Sequence, residues 1–252
     1  MLRKFNNSRT VKDNMQLGAL TAFSAGMVNV VSVIIFFAFT SNVTGHYAIL
    51  AEEMAKGNWN QVFVVLTWIF LFFIGNFVSN LIIINFNEKN SYIAHSTPLI
   101  LEILCLFAVG TYGAFYYTET LWETEIMVGF MLFAMGLQNG LTASISNFSV
   151  KTTHLTGLTT DLGILASLYT QKKYRTNKVL IAKRKILLSI VVAYLLGGVF
   201  AGMVYLKIQF FVFYVACLVI GVIIGYEYYK LKINKLMRYK RHNFSRMKRR
   251  VA

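Results

Sequence analysis

Charge is what this 252-residue chain has least of. Only 14% of it is Asp, Glu, Lys or Arg, against about 25% in a soluble globular domain. Cysteine is scarce as well. The two present, Cys105 and Cys217, both fall inside long apolar runs, so neither a disulfide framework nor a thiolate metal site is indicated. No hydrolase elbow, P-loop, dinucleotide fingerprint or zinc motif occurs. The sequence therefore gives no ground for an enzyme, a metal site or a bound cofactor. A cleaved signal peptide is not expected either, because the first apolar run is too long for an h-region and no small-x-small site follows it.

Hydrophobic residues are plentiful, at 56%, and they come in runs rather than in an amphipathic rhythm. A helix needs about 20 mostly apolar residues to cross a hydrocarbon core of about 30 Å. Five regions hold such runs: Gln16–Thr40, Gln61–Phe86, Thr97–Tyr117, Ile126–Phe148 and Ile186–Tyr229. The last would be about 66 Å long as one helix, twice a bilayer. It reads as two spans folded back near Lys207 and Gln209, although no Gly or Pro marks the turn. The expectation is an all-α integral membrane protein with six transmembrane helices.

The net charge of +15 suggests nucleic acid at first sight, but its placement argues for topology instead. With the N-terminus in the cytoplasm and six spans, 23 Lys and Arg fall inside and 2 outside. That is the positive-inside bias, with both ends cytoplasmic. The tail Lys230–Arg250 reads as an anchor on anionic lipid headgroups, at about 1 kcal/mol per basic residue near the surface. It has no aromatic-interleaved platform, so no nucleic-acid partner is expected.

A short phrase occurs twice. Asn42-Val43-Thr44-Gly45-His46 follows one apolar run and His154-Leu155-Thr156-Gly157-Leu158 follows another. Each has a Gly-x-x-Asn upstream, Gly26/Asn29 and Gly136/Asn139. Gly75 in the second run resembles Gly197 in the fifth. The chain thus divides into a basic N-terminus (1–15), a three-span half (16–118), an outside linker (119–125), a second three-span half (126–229) and a basic tail (230–252). Three spans per half place the halves in opposite orientations, a 3+3 inverted repeat. The stretches Tyr47–Ala55 and Thr159–Thr170 are too short to span. They read as interfacial or half-helices, capped by Thr44 or Asn42 and by Thr159 or Thr160.

Gly136-Leu137-Gln138-Asn139-Gly140, then Thr152-Thr153-His154-Leu155-Thr156-Gly157, then Asp161-Leu162-Gly163, resembles the signature of the YoaK family of bacterial multi-pass membrane proteins. The resemblance runs from about Gln16 to Tyr229. It departs from that pattern at Asn29, where the family typically has Asp, and at His46, where it has Asn. It implies a six-span protein in a bacterial cell membrane and no particular activity.

Repeated helix breaks at the junction of inverted halves are where transporters bind solute. The leading expectation is a secondary transporter or permease for a small polar solute, without nucleotide chemistry. Its site would be lined by Asn29, Thr44, Gly45, His46, Gln138, Asn139, Thr156, Gly157 and Asp161. Glu102 and His154 are candidates for ion coupling, since intramembrane ionisable groups are seldom idle. Asn76 and Asn80 read more simply as interhelical hydrogen bonds, and the glycine pairs four apart as helix packing. The alternatives are a structural or regulatory membrane protein acting through its basic tail, with a homo-oligomer as one arrangement, and a membrane-embedded enzyme, for which the ionisable residues are too scattered.

Overall fold

A computed structural model describes residues 10–226 together with 228 and 229. The basic tail, and the lipid-anchoring role read for it, lie outside the described residues. Among those described, every regular element is a helix. In chain order they are α1 (Val11–Phe36), α2 (Val43–Lys56), α3 (Trp59–Phe115), α4 (Leu121–Ile145), α5 (Leu155–Leu168), α6 (Lys172–Arg175) and α7 (Lys178–Ile208). A 3₁₀ turn at Gln209–Phe211 leads into α8, residues 212–226. Among the described residues, four helical stretches are long and apolar enough to cross a membrane: α1, α3, α4 and the run Lys178–Tyr226.

Local chemistry sets where these helices begin and end. Thr10 and Asp13 form a reciprocal capping box, with Asp13 Oδ2 accepting from Thr10 N at 2.9 Å. α1 therefore starts at Val11, ahead of its apolar run. It stops at Phe37, whose φ of 53° breaks the helix.

Two of the long stretches double back. In α3, Asn90 leaves helical geometry (φ −157°, ψ 94°), and its Oδ1 accepts from the amides of Tyr92 and Ile93, restarting the helix. Gln61 near one end donates to Glu125 at 3.0 Å, and Tyr112 near the other donates to Glu123 at 2.7 Å. Residues about 75 Å apart on a straight helix thus meet one turn of α4. The polar stretch between the second and third apolar runs is helical apart from Asn90. The reversal after α7 falls at Gln209 (φ 46°), where the sequence placed it. From there α8 runs back along the second limb of α3, with Cys217 near Ile103 and Tyr92 bonded to Ile224.

Helix packing is organised by two glycine crossings. A Cβ on Gly26 of α1 would collide with the carbonyl oxygen of Tyr194 in α7, and one on Gly197 with that of Phe23. Between α4 and the first limb of α3, Gly136 bears the same relation to Phe72, and Gly75 to Phe133. In every case the glycine's partner carbonyl lies three residues before the facing glycine. Only a missing side chain lets backbones approach so closely. Gly140 packs on Asn76 and Gly198 on Val30, whereas Gly221 and Gly225 have open space around them.

α2 and α5, each of 14 residues, begin deep rather than at the ends of the helices before them. After α1 the chain returns so that Thr40 lies beside Asn29, two turns back from the end of α1. After α4, Thr152 returns beside Gln138 in the same way. Both short helices begin earlier than the sequence suggested. Asn42 caps α2, accepting from Gly45 N at 3.1 Å. Neither Thr159 nor Thr160 caps α5, because that helix already starts after His154 and has no side-chain cap.

The exterior is apolar. Phe63, Phe70, Phe73 and Phe77 on α3, and Leu195, Leu196, Val199 and Met203 on α7, are all more than half exposed. Rows of outward-facing apolar side chains on this scale suit a hydrocarbon surround rather than water.

Candidate functional site

The two Thr-Gly phrases meet. One cavity of about 570 Å³ is lined by Asn42 and Thr44 at the start of α2 and by His154 and Thr156 at the start of α5. Asn29 of α1, Asn139 of α4, Asn76 of α3 and Tyr194 of α7 complete its polar wall, with Lys151 and Thr153 from the segment entering α5. Four helices and both breaks thus contribute to one space, with Asn29 and Asn139 coming from matching positions. Phe39, Phe72 and Phe148 supply apolar wall. Among the described residues, the lining holds one obligate cation, Lys151, and no carboxylate.

The matching amides are used unequally. Asn29 Oδ1 accepts from Thr40 N at 2.9 Å, Thr40 Oγ1 at 3.3 Å and Ser41 Oγ at 3.1 Å. Asn29 thereby pins the returning chain ahead of α2. Asn139 Oδ1 is shielded from solvent and has no hydrogen-bond partner. The segment ahead of α5 is held by the preceding residue instead. Gln138 Oε1 accepts from Thr152 Oγ1 at 3.3 Å, and Gln138 Nε2 donates to Glu102 Oε1 at 2.9 Å.

Of the residues nominated from sequence, Asn29, Thr44, Asn139, His154 and Thr156 line this cavity. Gly45 is taken up by the Asn42 cap. His46 turns inward: its Nε2 donates to Phe39 O at 2.8 Å and its ring meets Trp68 edge-on. Burial holds that imidazole below its usual pKa, partly offset by the bond to Phe39. Gln138 and Glu102 are fully buried behind the wall. Gly157 and Asp161 line a second cavity of about 620 Å³, which adjoins the first at Phe148, Lys151 and His154. There Asp161 pairs with Lys183 at 3.0 Å, both partly exposed.

The sequence does not single out Asn42, Tyr194, Lys151 or Thr153 as lining residues. Asn42 precedes the repeated Thr-Gly just as His154 does, which was a usable signal. Tyr194 lies within an apolar run, and Lys151 sits in a segment with seven other basic residues, so nothing marked either. Asn76 lines the cavity as well as donating to Phe72 O in its own helix at 2.7 Å. Asn80 bonds Ser144 of α4, an interhelical contact.

Among the described residues, no group of three His, Cys, Asp or Glu side chains could hold a metal ion. No curated protein and no solved structure matches the chain. The pattern that defines the family described as "Protein of unknown function (DUF1275)" does match, over residues 17–226, and the chain belongs to that family.

Proposed function

We propose that this protein is a secondary transporter or permease for a small polar solute, in the cell membrane of a bacterium. Its architecture in this reading is six spans in two inverted halves, with both chain ends cytoplasmic. Each doubled-back stretch then supplies two spans. The supporting observation for the repeat is the pair of glycine crossings. Gly26 against Gly197 and Gly75 against Gly136 are equivalent contacts once the halves are superposed in sequence. The likeness to YoaK proteins remains a resemblance carried by residues 136–163.

The observation that carries the transport reading is the single cavity to which both Thr-Gly breaks and both matching amides contribute. Broken backbone is tolerated at depth only where it lines a cavity or is buried in protein. Two helices begin at this cavity, and helix starts carry partial positive charge. With Lys151 and no carboxylate in the lining, the site favours a solute bearing acceptor oxygens or negative charge. Alternating access would rock one half against the other about the glycine crossings.

Reconstitution in liposomes tests the reading. Purified protein should move at least one member of a panel of small acids, amides and polyols, and Thr156→Val or Asn139→Leu should abolish that flux in folded protein. Absence of flux across the whole panel would count against it.

A further inference from the structure

One buried ionisable group has no part in the cavity wall, yet it is wired to it. Glu102, on the second limb of α3, is completely buried and makes no ion pair with any described residue. Its Oε1 accepts one hydrogen bond, from Gln138, and its buried Oε2 has no partner. Among the described residues, the thiols of Cys105 on its own helix and Cys217 on α8 interact with it, and α4 presents the Gln138 amide. A carboxylate here would have one donor and no cation, an uncompensated buried charge. The carboxyl therefore holds its proton in this conformation.

From Gln138 the connection continues through Thr152, which leads directly into Thr153 and His154 of the cavity wall. The first half lacks this branch. There Thr40, which matches Thr152, bonds Asn29, and Val28 stands in the place of Gln138. Thr152 thus has two acceptors to choose between. One is Gln138, tied to Glu102, and the other is Asn139, whose Oδ1 is unfilled and whose counterpart takes Thr40.

We propose that Glu102 is the proton-binding site that couples to the cavity, releasing its proton when the Thr152 segment exchanges Gln138 for Asn139. The carboxylic acid becomes a carboxylate, the O–H bond breaks, and the proton passes to water entering from the cavity. The carboxylate left behind needs more donors than Gln138 supplies, and water entering where Thr152 has left Gln138 supplies them, so the exchange and the proton loss favour one another. This deepens the transport reading and rests on it.

The test uses the full chain in lipid nanodiscs and needs no solute. Infrared difference spectra at neutral pH should show the carbonyl band of a protonated carboxyl, lost in Glu102→Gln. In parallel, Thr153→Cys is labelled with a membrane-impermeant maleimide across a pH series, with and without Glu102→Gln. The ratio of the two rates cancels the thiol's own ionisation. It should change with pH, because only the native acid titrates. If Glu102→Gln does not fold, Glu102→Asp should shift the carboxyl band and keep the pH-dependent labelling. A band unaffected by either substitution, or a rate ratio flat in pH, overturns the proposal. Solute flux driven equally by a proton gradient with and without Glu102→Gln overturns the coupling while leaving transport intact. A titrating Glu102 in a protein that moves no solute would overturn only the transport reading.

Discussion

Asn29 and Asn139 hold matching positions in the two halves and face one cavity, yet Asn29 Oδ1 accepts three hydrogen bonds and Asn139 Oδ1 accepts none. The first amide is a fastener, and the second holds a buried acceptor that no described group fills. Substitution should separate these roles. Asn29→Leu strands the Thr40 amide and two hydroxyls, and should cost about 1–3 kcal/mol. Asn139→Leu breaks no bond from its Oδ1 and should change stability by about 0.5 kcal/mol or less while removing flux. Thermal unfolding of the two purified variants beside the native protein, paired with liposome flux, checks both outcomes.

The glycine crossings make a steeper forecast. Gly26→Val, Gly75→Val, Gly136→Val and Gly197→Val each drive a side chain into a backbone carbonyl. Overpacking of a rigid contact costs about 1–3 kcal/mol, and backbone leaves less room to relax than a side chain. Gly221→Val, with open space around it, should express and melt like the native protein. Yield of monodisperse protein in detergent separates the two groups. Equal loss in all five would mean the crossings have no special role.

His46 should make stability depend on pH. Its folded-state pKa is lowered from the ordinary 6.5 by burial. As pH falls through 6.5 toward the folded value, the unfolded chain takes up a proton that the folded one refuses. Stability is then lost on acidification and is fully present above 6.5. Melting temperatures across this window should slope for the native protein and flatten in His46→Gln.

Asp161 is expected to matter little. Its pairing with Lys183 is partly exposed, and such pairs contribute about 0–1 kcal/mol. Asp161→Asn should leave both melting temperature and flux close to native. A tenfold loss of flux with unchanged folding would return Asp161 to the site.

Part of the cavity lining was legible because a short phrase occurs twice in the chain. Asn29, Thr44, Asn139 and Thr156 were found by matching two phrases, and all four face one space. The reversal near Gln209 was legible from length alone, since about 66 Å of apolar helix exceeds one bilayer. The partners across the fold were not. Glu102 and Gln138 are 36 residues apart, and no periodicity links them. Tyr194 reaches the cavity only because Gly26 and Gly197 let α1 and α7 approach, which its apolar neighbours conceal. Asp161 and Gly157 looked like members of the same site because they follow the motif closely. On a helix, however, they fall to the side of α5 that faces the adjoining cavity.

The central claim is that both Thr-Gly breaks open onto one cavity although they lie in loops assigned to opposite sides of the membrane. Accessibility in sealed vesicles tests it directly, with native thiols serving as the background. Glu123→Cys and Lys173→Cys should react with an impermeant maleimide from opposite sides and so define the two faces. The reagent that reaches Lys173→Cys should also reach Thr156→Cys and, through the shared cavity, Thr44→Cys. Thr44→Cys reacting only from the face that exposes Glu123→Cys would contradict a cavity shared by the two halves.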